Sequence, residues 1–142
     1  MKIVLDTNVA ISALLWEGIC NQLLRYLIKY NFRILASHPT IKEFEDVIRY
    51  KKFKSRLENL KFKPIEAVAY YENLVTFTPI TTRYCAKIED PDDIKFLDLA
   101  LSGKASLIIS GDNHLLKLKA IEQIPIVMPN EALEVIVRLV SE

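Results

Sequence analysis

Residues 1–10, MKIVLDTNVA, run apolar through Ile3, Val4 and Leu5 and then turn abruptly polar at Asp6, Thr7 and Asn8. Three consecutive apolar residues, two of them β-branched, predict a strand buried on both faces. A carboxylate, a hydroxyl and an amide where that strand stops have a plain structural use, because all three residue types cap helices well. They also have a sharper one. The carboxyl end of a central parallel strand is where open α/β sheets place their chemistry. The rest of the chain decides between the two.

Four more apolar runs read as strands: 32–36, 75–80, 107–110 and 125–128. Between them lie helical patterns. Residues 21–30 carry a stripe of Leu23, Leu24, Leu27 and Ile28, and residues 40–49 one of Ile41, Phe44, Val47 and Ile48. Pro64 opens a helix through Ala67, Val68, Tyr71 and Leu74, and residues 92–101 and 130–140 complete the set. Strands alternating with helices predict a three-layer α/β/α fold, its central sheet parallel and of about five strands. No repeat, linker or low-complexity tract divides residues 1–142, so one domain is expected. The chain has only three glycines, too few for a dinucleotide-binding glycine loop or a phosphate-cradling P-loop.

Apolar residues make up 51% and charged residues 26% of the 142, a globular balance. No apolar run approaches the roughly 20 residues that span a bilayer, and Asp6 interrupts the amino-terminal run too early for a signal peptide. Cys20 and Cys85 lie far apart without metal-like spacing, which predicts reduced packing residues and a cytoplasmic setting. The charge is uneven. RYKKFKSRLENLKFK, residues 49–63, holds seven Lys or Arg against one Glu, a net +6 in a chain whose total is +1. Arg49, Lys51, Lys52 and Lys54, with Tyr50, Phe53 and Phe62 interleaved, read either as a solvated helix surface or as a strip contacting nucleic-acid phosphates.

The acids need closer reading. In DPDDIKFLDLAL, residues 90–101, Asp90 and Pro91 form a helix start, and Asp93 in the first turn complements the helix dipole. At about 100° per residue, Phe96, Leu97 and Ala100 define the inward face. Asp93 projects into its middle, Asp92 lies toward an edge, and Asp98 points nearly opposite, toward the expected surface. An acid aimed inward needs compensation, so Asp93 is the expected functional acid. The run LIISGD, residues 107–112, repeats the opening theme, ending a strand at Ser110 and Asp112. Asp112 also suits the cap of a short following helix. In TIKEFEDVI, residues 40–48, Glu43 and Glu45 flank the apolar stripe on opposite sides and Asp46 faces solvent; periodicity does not choose between the glutamates.

Taken together, IVLDTN at 3–8, TIKEFEDVI at 40–48, DPDDIKFLDLAL at 90–101 and IISGD at 108–112 resemble the PIN-domain ribonucleases over essentially the whole chain. The likeness is greatest to the group described as toxins of toxin–antitoxin pairs, in which a glutamate-bearing helix precedes a basic segment. The resemblance implies the strand order 3-2-1-4-5. It also implies an acidic cluster of Asp6, Glu43, Asp93 and Asp112, with Asn8 and Ser110 in supporting positions. Further implications are an RNA substrate cut to leave a 5′-phosphate and a 3′-hydroxyl, a homodimer, and a cognate antitoxin protein.

Clustered carboxylates repel one another unless a cation joins them. Oxygen ligands without a His/Cys cluster favour Mg²⁺ or Mn²⁺, one or two ions, over zinc; His38 and His114 read as structural or surface residues. Asp6 and Asp93 are the expected direct ligands, with Glu43 and Asp112 binding a second ion or orienting water. Two rivals stand beside this reading. A phosphatase with an aspartyl nucleophile wants a second Asp where this chain has Asn8, and a non-catalytic RNA- or protein-binding module needs no acidic cluster.

Overall fold

The computed structural model describes residues 1–86, 88 and 90–141. Six strands form one sheet: β1 (Lys2–Leu5), β2 (Arg33–Ala36), β3 (Val75–Phe77), β4 (Leu107–Ile109), β5 (Ala120–Ile121) and β6 (Ile124–Val127). Their order is β3-β2-β1-β4-β6-β5. All pairings are parallel except the short antiparallel β5–β6 hairpin. The predicted fifth strand is β6, in the predicted place beside β4. The added β5 is only two residues long, and the predicted third strand ends at Phe77 rather than residue 80.

The opening stretch is the middle of this sheet. Val4 sits opposite Leu35 of β2 on one side and Ile108 of β4 on the other. Alternate side chains feed two separate cores, as strand geometry requires. Ile3, Leu5, Ile34, Leu107 and Ile109 enter one, and Val4, Leu35, Ile108 and Ile126 enter the other. The first core is covered by residues of α1 (Thr7–Leu15), α2 (Ile19–Lys29), α3 (His38–Val47), α4 (Lys51–Asn59), α5 (Pro64–Leu74) and α8 (Pro129–Ser141). The second is covered by α6 (Ile94–Gly103) and α7 (Asn113–Leu116).

Helix α1 begins directly after β1, where the cap reading of Asp6 puts a helix start, although no helical stripe announces its body. Its Val9, Ala10, Ile11, Ala13 and Leu15 are all buried, so it lacks the one-sided stripe that marks a surface helix. Helix α6 lies close over β2 because Gly103 has no side chain; a Cβ there would collide with Leu35. Among the described residues no helix is long and apolar enough to cross a membrane.

Candidate active site

Asp6 continues the line of β1, its backbone N–H donating to Ile109 of β4 at 3.0 Å. It is also the N-cap of α1, with Oδ1 accepting from the Val9 N–H at 2.9 Å. Its Oδ2 accepts from the Ser110 hydroxyl and from the Gly111 N–H at 3.3 Å. The same Ser110 Oγ accepts from the Asp112 N–H at 2.9 Å. One buried hydroxyl thus ties the mouth of β1 to the mouth of β4. Asp6 is only 6% exposed. Burial raises its pKa against the pull of these donors, and the Asp112 charge adds to the rise.

Glu43 reaches the same place from the middle of α3. Its Oε2 accepts from the Thr7 hydroxyl, and its Oε1 pairs with Lys95 Nζ of α6 at 2.8 Å. Sequence reasoning passed over both partners. Lys95 was hidden among acids, and Thr7 was taken with the cap.

Asp93 closes the 3-10 turn Pro91–Asp93 that leads into α6. Asp90 caps that turn, Oδ1 accepting from the Asp92 N–H at 3.0 Å. Asp93 points inward as the helical geometry predicted and is 7% exposed. Its Oδ2 is buried with no hydrogen-bond partner among the described residues. Burial first, then the Asp112 carboxylate and Asp90, push its pKa up to about 7, with His114 opposing. An orphaned acceptor among carboxylates lacks positive charge.

Asp112 is half-buried and caps α7 through the His114 N–H at 2.8 Å. Its structural use and its place in the cluster coexist. Asp6, Asn8, Glu43, Asp93 and Asp112 line one cleft of about 210 Å³, with Asp90, Asp92, Tyr50 and Lys52 at its walls. Ser110 lies beneath it, fully buried. Glu45 is not among the lining residues, which separates the two glutamates that periodicity left equal. Asp90 and His114 were missed. Ligand atoms of Asp90, Asp93 and His114 lie within 4.8 Å of one another. Oxygen donors, an orphaned buried carboxylate oxygen and this spacing fit a divalent cation.

Two expectations need correction. Asp98 is not a surface residue but 4% exposed. The segment after β3 crosses over the outer side of α6, where the Tyr84 N–H donates to Asp98 Oδ1 at 2.6 Å and Arg83 Nη1 lies 3.4 Å from Oδ2. Nor is the basic strip one surface. Winding residues 51–59 into α4 sends Lys52 to the acidic cleft. Arg49, Lys51 and Lys54 line a separate groove of about 720 Å³ floored by Ile48, Leu57 and Phe62.

Residues 2–114 match a family profile described as PIN domain. No curated protein matches the chain. Among solved structures, VapBC2 from Rickettsia felis bound to a DNA fragment from its promoter contains a similar chain. That match has a TM-score of 0.60 and 13% identity, covering 90% of this chain and 98% of that one. The PIN domain endonuclease Utp24 matches with a TM-score of 0.51 and 16% identity, covering 89% of this chain and 84% of that one.

Proposed function

The chain belongs to the PIN domain family, and we propose that it is a metal-dependent endoribonuclease, the toxin of a toxin–antitoxin pair. The observation that carries this reading is the cleft in which Asp6, Glu43, Asp93 and Asp112 meet from four different elements, with one oxygen of Asp93 buried and unpartnered. A fold does not retain uncompensated buried acids for stability alone.

Asp6 and Asp93 would hold Mg²⁺ or Mn²⁺ directly, and Glu43 and Asp112 would take a second ion or orient the attacking water. Bound there, the cation would lower the pKa of water and neutralise charge on the phosphate. The protein's own groups supply the rest. Ser110 and the Gly111 N–H fix the Asp6 carboxylate. Lys95 and Thr7 fix the Glu43 side chain, leaving Glu43 to accept a proton from a water aligned behind the phosphorus. Lys52 at the wall of the cleft meets a phosphate of the RNA, and Asn8 offers an amide to substrate. In-line displacement leaves the 5′-phosphate and 3′-hydroxyl. The toxin assignment draws support from the VapBC2 likeness; with it go a cognate antitoxin, a homodimer and a cytoplasmic setting.

The separate basic groove with its apolar floor favours a second reading, a module that binds RNA or protein without cutting. End-labelled RNAs incubated with Mg²⁺, Mn²⁺ or EDTA, beside Asp6→Asn, decide between them. Metal-dependent cutting lost in the variant is the expected result. No cutting together with no Mn²⁺ binding would leave the binding module.

A further inference from the structure

The expected ligands of the cleft are all oxygen atoms, yet the residues that converge most tightly include a nitrogen. Asp90, Asp93 and His114 each bring a ligand atom within 4.8 Å of the other two. The three arrive from different places. Asp90 caps the turn before α6, Asp93 ends that turn, and His114 stands in the first turn of α7. We propose that His114, which stands outside the lining of the cleft, binds a cation at its edge together with Asp90 and Asp93, a mixed nitrogen–oxygen site that selects Mn²⁺ over Mg²⁺. The inference rests on the metal-dependent reading above and goes beyond it, because it names the residue that sets the identity of the ion.

One observation independent of that spacing points to a cation. Oδ2 of Asp93 is buried and accepts no hydrogen bond, and Asp93 as a whole is more than nine-tenths buried. A carboxylate accepts about four hydrogen bonds, so the bond from the Asp92 N–H to Asp90 Oδ1, the one its side chain accepts among the described residues, does not exhaust Asp90. The His114 ring is half-exposed and lies beside Asp112, with Nδ1 3.7 Å from Asp112 Oδ1. A carboxylate beside a ligating imidazole is a recurrent arrangement in metal sites, where it orients the ring. The chemistry then discriminates. Mg²⁺ demands near-ideal octahedral oxygen coordination and sheds its water reluctantly. A nitrogen ligand moves the preference away from Mg²⁺ and toward the first-row transition ions, of which Mn²⁺ is the one that shares Mg²⁺'s affinity for carboxylate and water.

The test uses the full-length protein with Mn²⁺ as the probe, free Mn²⁺ being read by its electron paramagnetic resonance signal, and Mg²⁺ added as competitor. His114→Gln is expected to weaken Mn²⁺ binding by about 10- to 100-fold while changing Mg²⁺ binding far less, so that the Mn²⁺ preference narrows. Asp90→Asn keeps an acceptor for the capping bond and is expected to weaken both ions. In wild-type protein, bound Mn²⁺ should show a directly coordinated ¹⁴N in its pulsed electron paramagnetic resonance spectrum, a readout independent of any variant's folding. Mn²⁺ binding that is unchanged in His114→Gln, with no coordinated ¹⁴N in the wild type, overturns this proposal and leaves the nuclease reading standing. Absence of any Mn²⁺ binding in the wild type overturns both.

Discussion

Asp6 and Asp93 are equally buried, at 6% and 7% exposure, and the fold treats them in opposite ways. Asp6 receives two backbone N–H groups and a hydroxyl. Asp93, at the mouth of α6, faces the carboxylates of Asp112 and Asp90 and keeps an oxygen without any partner. Asp6 is held by the protein itself, whereas Asp93 is tolerated by it. The contrast distinguishes an acid anchored within the scaffold from one whose compensation must come from a ligand.

The largest expected effect breaks the comparison in function and sharpens it in stability. Asp6→Asn and Asp93→Asn should each reduce RNA cleavage by on the order of a thousandfold, a loss comparable to removing a key electrostatic group. Their metal-free stabilities should move apart. An amide at position 6 sets an N–H against existing donors and should cost about 1–3 kcal/mol, whereas at position 93 it removes repulsion and should raise the melting temperature. Thermal melts in EDTA check this, and equal shifts in both variants would erase the distinction.

Next in size is Ser110→Ala. It removes the hydroxyl that donates to Asp6 and accepts from the Asp112 N–H, and should lower cleavage about 10- to 100-fold through misplaced carboxylates. Single-turnover cleavage rates at saturating Mn²⁺ measure this.

The pH dependence of the metal-free protein follows. The folded state holds a proton on Asp93 up to about pH 7, whereas the unfolded chain releases it near pH 4. Stability should therefore fall as pH rises between those values. Asp6, also raised, contributes with the same sign. Melts across that range in EDTA should show the decline, flatter in Asp93→Asn; a stability that rises with pH there would contradict it.

The smallest functional effect belongs to the third buried acid. Asp98→Ala strands the Tyr84 N–H and should cost about 1–3 kcal/mol while leaving the cleavage rate of folded protein unchanged. Parallel urea titrations and cleavage assays check both halves.

Asp98 also shows where sequence reading stops. Helical periodicity correctly aimed Asp93 inward, because its inward face is set by neighbours on its own helix. Periodicity sent Asp98 outward too, and the direction was right. What covers it is the segment containing Arg83 and Tyr84, placed there by tertiary structure. The strands at 2–5 and 107–109 were legible because a doubly buried strand needs an unbroken apolar run. Helix α1 was legible only at its cap, Asp6, because its body is apolar on nearly every side. The basic segment read as one strip because charge counted along the sequence ignores the rotation of α4, which separates Lys52 from Lys51 and Lys54. Asp90 and His114 were visible only as cap and surface residue; the approach of His114 to Asp90 and Asp93 joins segments more than 20 positions apart.

The bond from Ser110 to Asp6 spans 104 positions of the chain, and β1 finds its partners in β2 and β4 rather than in anything adjacent. Such long-range pairing forms late, since the loop must close before any contact rewards it. A chain emerging from the ribosome carries Asp6 first and Asp112 more than 100 residues later. Until β4 docks, no cleft exists. Under the proposed reading, cutting is thereby withheld from the message and the ribosome until β4 has been made, a delay written into the order of the strands.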